Sequence, residues 1–264
     1  MTQTPESPPM PESASGRMPL LDHVRELRTR IFKAVVAFAI GTVVGYILFP
    51  WVMPLLIAPY CATAESLRPD ASCTLIALRP LEPFVVRIKT SMVIGLFVGG
   101  PVIFYQLWRF ITPGLTSKER RYALPFVLLS QVMFGVGLGF AYLVIPKGLS
   151  ILLNLGGPDI EALLSANEYL SFFLTMSVAF GLVFELPLVL IFLSLVGIVR
   201  AATLRRGRPW AVVLMVVAAA FITPTTDAVS LMFMVGPMLL FYELSILAAW
   251  LIERARRSRK GVGV

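Results

Sequence analysis

Residues 34–53 read AVVAFAIGTVVGYILFPWVM and contain no charged side chain. At a rise of about 1.5 Å per residue, a helix of this length crosses the roughly 30 Å hydrocarbon core of a bilayer. Other long apolar runs follow along the chain, which has 264 residues and is 57% hydrophobic but only 14% charged. The composition therefore predicts a protein that crosses the membrane several times.

The apolar runs, separated by prolines, glycines and charged residues, predict an all-α membrane protein with six transmembrane helices. The fifth and sixth helices are expected to be short. The fifth has 14 residues and covers only about 21 Å, so either the bilayer or partner proteins compensate for the mismatch, or the boundary is misplaced by a turn. The predicted spans are 31–53, 84–108, 122–145, 169–199, 210–223 and 228–252.

Positive charges divide unequally between the two sides of these spans. Of the 23 lysines and arginines, 18 lie before or at the very start of the first span, after the last one, or in the second and fourth connectors. Cytoplasmic segments carry the excess of positive charge, so both termini are predicted to be cytoplasmic. Residues 1–18 are interpreted as a disordered tail, 19–253 as the six-helix domain and 254–264 as a basic cytoplasmic tail.

Several function classes are not supported by the sequence. The net charge of +8 is accounted for by membrane orientation, so no nucleic-acid partner is expected. The only histidine is His23, and the chain contains no Gly-rich phosphate loop, metal-spaced cluster or Ser/His/Asp set. We therefore expect neither an enzyme nor a cofactor or metal site.

The two long connectors on the outer side, 54–83 and 146–168, are expected to form a cap over the outer surface. Both cysteines of the chain, Cys61 and Cys73, lie in the first of them. Disulfides persist on the outer side of a bacterial membrane. The sequence leaves two interpretations open, a Cys61–Cys73 disulfide and two unpaired thiols.

Carboxylates within membrane spans are costly and are candidates for function. Glu185 lies near the middle of the fourth span, two residues before Pro187, which kinks a helix. It either faces a cavity or groove, or forms a hydrogen bond to a neighbouring helix. Glu243 lies close to the basic tail, where packing or snorkelling is the simpler explanation. Asp227, in the turn TPTTDAVS, is explained by an N-cap of the sixth helix.

Two further carboxylates lie in segments predicted to be cytoplasmic. Glu26 belongs to LLDHVRELRTRI, an amphipathic segment expected to lie in the membrane surface, and is spaced for an i,i+4 pair with Arg30. Glu119 belongs to FITPGLTSKERR, residues 110–121. There Thr116 and Glu119 fit a capping box at the start of the third span. By these arguments alone, both carboxylates are structural.

The segments HVRELRTR and FITPGLTSKERR together resemble the two most recognisable stretches of the TatC family, the multi-spanning receptor subunit of the twin-arginine protein translocase. Further resemblance extends through PVIFYQLWRF, FGLVFELP, TPTTDAVS and GPMLLFYE, in the family's order. The resemblance implies a receptor in the bacterial inner membrane that binds twin-arginine signal peptides. It also implies export of folded proteins by an oligomeric complex with single-span TatA and TatB partners, using the proton-motive force.

By the same resemblance, Glu26 and Glu119 correspond to the carboxylates that contact the two arginines of the signal peptide. A guanidinium forms bidentate, charge-assisted hydrogen bonds with a carboxylate, so lysines would be poor substitutes. The supporting recognition surface implied by the family motifs comprises Arg28, Pro59, Phe110, Pro113, Leu115, Arg120 and Arg121. Thr223 and Asp227 correspond to the outer turn where partner helices dock.

One position departs from the family pattern: the Gln that often follows the Ser of the last turn is Leu231 here, after Ser230. The details of partner docking at this corner are therefore expected to differ. A function from another class also fits the intramembrane carboxylate. Glu185 is compatible with a proton-coupled secondary transporter, although the chain has no evident inverted repeat.

Overall fold

The computed structural model describes residues 20–67, 75–111, 123–154, 165–222 and 228–261. Within these ranges the chain is helical, apart from short connections and one isolated parallel bridge between Ile76 and Ser165. The helices are α1 (Leu20–Leu67), α2 (Glu82–Ile111), α3 (Ala123–Asn154), α4 (Ala166–Val196), α5 (Ala201–Arg206), α6 (Arg208–Ile222) and α7 (Ala228–Gly261).

The predicted architecture of six membrane helices is confirmed. Five of the described helices, α1, α2, α3, α4 and α7, are long and apolar enough to cross a membrane. The helix at the fifth predicted position, α6, is apolar but has only 15 residues, as expected. Short α5 connects α4 to α6.

The prediction of a short sixth helix is wrong, because α7 runs for 34 residues. Its apolar, span-like part is Ser230–Ala255. Beyond this part the residues are arginine, serine and lysine, with neither glycine nor proline before Gly261. Such residues tolerate or favour helix, so nothing in the sequence ends the helix earlier.

Two other helices also extend beyond their predicted ends. The predicted spans end directly before Pro54 and Pro146, but α1 continues to Leu67 and α3 to Asn154. Proline removes one backbone hydrogen bond without necessarily ending a membrane helix, since neighbouring helices compensate for the loss. At its N-terminal end α1 also includes the amphipathic segment LLDHVRELRTRI, so this segment and the first span form one continuous helix.

Glycines allow α1 and α2 to pack backbone against backbone. A Cβ added at Gly41 would lie 2.4 Å from the carbonyl oxygen of Gly95, and one at Gly45 would lie 2.4 Å from that of Ser91. A Cβ at Gly99 would approach the carbonyl oxygen of Ala37 to 2.9 Å. No side chain fits at these distances, so the spacing of small residues fixes the register of the antiparallel pair.

Helix α4 is the centre of the bundle and contacts α2, α3, α6 and α7. Its buried aromatic residues form edge-on contacts, such as Phe184 with Phe241 of α7, whose ring centroids are 4.5 Å apart. A second buried cluster joins α2, α3 and α4 through Trp108, Phe126 and Phe192, with centroid separations of 4.6–5.1 Å. These contacts hold the α2 and α3 ends that flank residues 112–122.

A buried carboxylate, Glu82, joins the N-terminal ends of α2 and α4. It accepts hydrogen bonds from the backbone N–H groups of Leu78 (2.7 Å), Arg79 (3.2 Å) and Asn167 (2.8 Å). Next to it, Ala166 donates its N–H to the carbonyl of Ile76 at 2.9 Å. The segment before α2 is therefore tied firmly to the start of α4.

Candidate functional site

Glu26 lies near the start of α1 and interacts with a guanidinium of its own helix. The Nε of Arg30 donates to Oε1 of Glu26 at 3.1 Å, and Nη2 of Arg30 makes a second, closer contact with the same oxygen. The side chain of Glu26 is 26% exposed and that of Arg30 is 13% exposed. This is the predicted i,i+4 pair, and it shows that a guanidinium can approach the Glu26 carboxylate with two donors.

The surroundings of Glu26 are basic and accessible. Arg25, Arg28 and Lys33 are exposed on the same part of α1. On α2, Arg109 donates from Nη1 to the Tyr105 hydroxyl at 3.1 Å. A carboxylate in such a field attracts a cationic ligand only through specific contacts, since the neighbouring charges repel it.

The register of α1 against α2 determines what lies level with Glu26. Ala37 lies against Gly99, as the glycine contacts show. Eleven residues further along the antiparallel pair, Glu26 on α1 corresponds to Phe110 on α2. Phe110 is half-buried one residue before the end of α2. Glu26 is therefore at the level where the chain leaves α2 toward residues 112–122.

Several predicted site residues lie outside the described residues. They are Pro113, Leu115, Glu119, Arg120 and Arg121 in the α2–α3 connection, Thr223 and Asp227 before α7, and Cys73. The capping box and the N-cap predicted at two of these places stay predictions. The helices on both sides of each connection are described, so its ends are positioned.

Pro59 and Cys61 lie in the C-terminal part of α1, far along the helix from Glu26. Pro59 is buried. Cys61 is disulfide-bonded, and the chain has only one other cysteine, Cys73. The bonded form of Cys61 supports the first of the two interpretations left open by the sequence, and the pairing with Cys73 is proposed.

Glu185 is half-buried on α4 and takes part in a polar chain that crosses three helices. The indole N–H of Trp108 on α2 donates to the hydroxyl of Ser130 on α3 at 2.8 Å, and Ser130 in turn interacts with the Glu185 carboxyl. Oε1 of Glu185 is buried and has no hydrogen-bond partner. The arrangement favours the interpretation of Glu185 as a carboxyl bonded to a neighbouring helix.

Glu243 forms an ion pair in place of the simple packing expected for it. Its Oε2 lies 2.5 Å from Nη2 of Arg208 at the start of α6, and both side chains are about half exposed. Glu253 accepts the N–H of Ala201 at 2.7 Å. These contacts attach α5 and α6 to α7. They were missed because they join residues far apart in sequence.

The residue that departs from the family pattern, Leu231, lies near the start of α7. Leu231 is partly buried against the main hydrophobic cluster, beside residues of the core. Its side chain therefore contributes to packing of α7. Among the described residues, no group of three His, Cys, Asp or Glu side chains could hold a metal ion.

Comparison with known proteins agrees with this architecture. Residues 22–237 match the family model described as Sec-independent protein translocase protein (TatC). A TatC protein of Frankia casuarinae is 44% identical over 252 residues, covering 93% of this chain and 69% of the relative. One of Aquifex aeolicus is 38% identical over 243 residues, covering 91% and 98%. A crystal structure of the twin-arginine translocase receptor TatC superimposes with a TM-score of 0.76 at 38% identity, covering 88% and 99%.

Proposed function

Because this chain belongs to the TatC family and is a subunit of the twin-arginine translocase, we propose that Glu26 and Glu119 together bind the two arginines of a signal peptide. Each carboxylate takes one guanidinium. The pair is selective because a lysine ammonium cannot supply the planar fork of donors that a guanidinium offers. The alternative of a proton-coupled transporter built on Glu185 is not retained.

The contact between Glu26 and Arg30 carries this proposal. In the peptide-free chain, Arg30 occupies Oε1 of Glu26 in the manner that a signal-peptide arginine would. The incoming arginine displaces or shares this contact. The pair is partly buried, but the incoming guanidinium replaces the one that leaves. Oε1 of Glu26 therefore keeps a charge-assisted contact, and the exchange costs little.

Glu26 of α1 lies level with Phe110 of α2, and this supports a role for Glu119 in the same binding site. Glu119 is nine residues beyond Phe110 and four before the start of α3. The connection that contains it starts level with Glu26. Arg28 and the basic residues of the connection, Arg120 and Arg121, keep other cations away. Phe110, Pro113 and Leu115 shape the surface around the carboxylates.

The chain is a multi-pass protein of a bacterial membrane. We propose that both termini are cytoplasmic, which the charge bias and the even number of helices support. TatA- and TatB-type single-span proteins complete an oligomeric complex driven by the proton-motive force. Their docking place is the turn containing Thr223 and Asp227, next to the short helix α6.

Export of a folded reporter tests the proposal. Glu26→Ala and Glu119→Ala are each expected to reduce export of a twin-arginine reporter by at least about tenfold, because a lost charge-assisted contact costs about 1.5–3 kcal/mol. The measurement is the reporter activity recovered outside the cytoplasmic membrane, in cells whose own TatC gene is deleted.

Glu243→Ala is the matched control, since it removes an equally charged but exposed side chain outside the proposed site. It is expected to export normally at the same membrane level of protein. Normal export by both Glu26→Ala and Glu119→Ala would contradict the proposal.

A further inference from the structure

A narrow apolar groove of about 410 Å³ runs between α2 and α4. Met92 and Val93 form one wall, and Leu174, Val178 and Leu182 form the other. The last residue of α6, Ile222, borders it. Among the described residues, Thr175 and Leu182 of α4 are exposed along this groove, so this part of α4 is accessible.

A cationic side chain lies at one end of the groove. The Nζ of Lys89 donates to Oδ1 of Asn167 at 3.0 Å and to the hydroxyl of Ser171 at 2.7 Å. Both acceptors are neutral, so they orient the ammonium without neutralising it. An ammonium has three donors, and the side chain is exposed.

No carboxylate of the described residues pairs with Lys89. Among the described residues, the two carboxylates near Lys89 are directed to backbone groups. Glu82 accepts the N–H of Asn167, and Glu168 accepts the N–H of Ser165 in a capping box. The positive charge of Lys89 is therefore available for an anion that approaches from outside the protein.

The dimensions of the groove fit an acyl chain. From Ser171, beside Lys89, to Leu182 at the deep end is 11 residues along α4, or about 16 Å. This is half of the roughly 30 Å hydrocarbon core, the depth of one leaflet. A volume of about 410 Å³ over this length corresponds to a mean cross-section of about 25 Å². This is far smaller than the cross-section of a transmembrane helix, which is about 10–12 Å in diameter including side chains.

We propose that this groove binds one acyl chain of an anionic phospholipid whose phosphate pairs with Lys89. The chain covers the apolar walls between Met92 and Leu182, and the phosphate receives the remaining donor of the ammonium. Lipid occupancy completes the surface of α4 that short α6 does not cover. Asn167 and Ser171 hold Lys89 at the height of the headgroup.

Native mass spectrometry of the full-length protein in detergent tests this proposal. Phosphatidylglycerol and chain-matched phosphatidylcholine are added separately. The wild-type protein is expected to retain phosphatidylglycerol preferentially. Lys89→Gln is expected to lower its occupancy about fivefold, the effect of roughly one interfacial charge, while Lys89→Arg retains it. Lys147→Gln, which removes another exposed lysine, at the far end of α3, is expected to have no effect.

Thr175→Trp tests the acyl chain separately. Thr175 is exposed and lines the groove, so the indole fills the groove without entering the core. This variant is expected to lose phosphatidylglycerol although Lys89 is intact. Equal losses in Lys89→Gln and Lys147→Gln would overturn the proposal. Equal retention of both lipids by the wild-type protein would also overturn it. So would retention of glycerol phosphate, which has no acyl chain, equal to that of phosphatidylglycerol.

Discussion

At the scale of single residues, the carboxylates of this chain differ in the donors from which they accept hydrogen bonds. Glu26 accepts a guanidinium, and Glu82 accepts three backbone N–H groups from two segments. The first contact is local, so the i,i+4 spacing predicts it. The second joins residues 85 positions apart, and no pattern in one sequence points to it. Glu82 was therefore missed among the candidate residues.

Glu82→Gln is expected to lower the midpoint of thermal unfolding by a few degrees. The glutamine amide retains one acceptor oxygen, but its NH2 group replaces the other. This NH2 group is a donor that faces backbone N–H donors, so their hydrogen bonds are lost. The measurement is thermal unfolding of the purified protein in detergent. Glu168→Gln is the control, because glutamine serves in a capping box as glutamate does; a larger effect there than at Glu82 would contradict the assignment.

At the scale of helices, hydropathy and breakers predicted the number of spans, and the structure confirms it. Helix ends were less predictable. Proline marks a lost hydrogen bond, but whether the helix stops depends on neighbouring helices, which explains why α1 continues through Pro50, Pro54 and Pro59. The pattern of glycines four residues apart, at 41 and 45 and again at 95 and 99, was a usable signal for close helix packing.

Gly95→Val is expected to destabilise the protein by about 1–3 kcal/mol. A Cβ at Gly95 would lie 2.5 Å from the backbone nitrogen of Thr42, and backbone cannot move aside as a flexible side chain does. Resistance to unfolding in increasing SDS measures the effect. Gly139→Val is the matched control, since nothing lies within 4 Å of a Cβ there. Equal sensitivity of the two variants would contradict the proposed α1–α2 packing.

At the scale of the whole molecule, α4 packs against the long helices α2, α3 and α7, and the shorter helix α6 contacts it over a smaller area. The sequence predicted the short length of α6. It also singled out two carboxylates, Glu26 in the amphipathic segment and Glu119 in the connection between the second and third spans, but only the family resemblance assigned them a ligand. Local chemistry explains Glu26 equally well as a helix pair and Glu119 as a cap.

Binding of the twin arginines by Glu26 and Glu119 is tested most directly by photocrosslinking. A photoreactive residue at position 118, next to the intact Glu119, is expected to crosslink to a twin-arginine signal peptide at least about tenfold more than to a twin-lysine peptide, because only guanidinium matches the carboxylates bidentately. With the probe at position 118, Glu26→Ala is expected to abolish this preference. Equal crosslinking of the twin-arginine and twin-lysine peptides from position 118, with Glu26 and Glu119 both intact, would contradict the assignment of these two carboxylates.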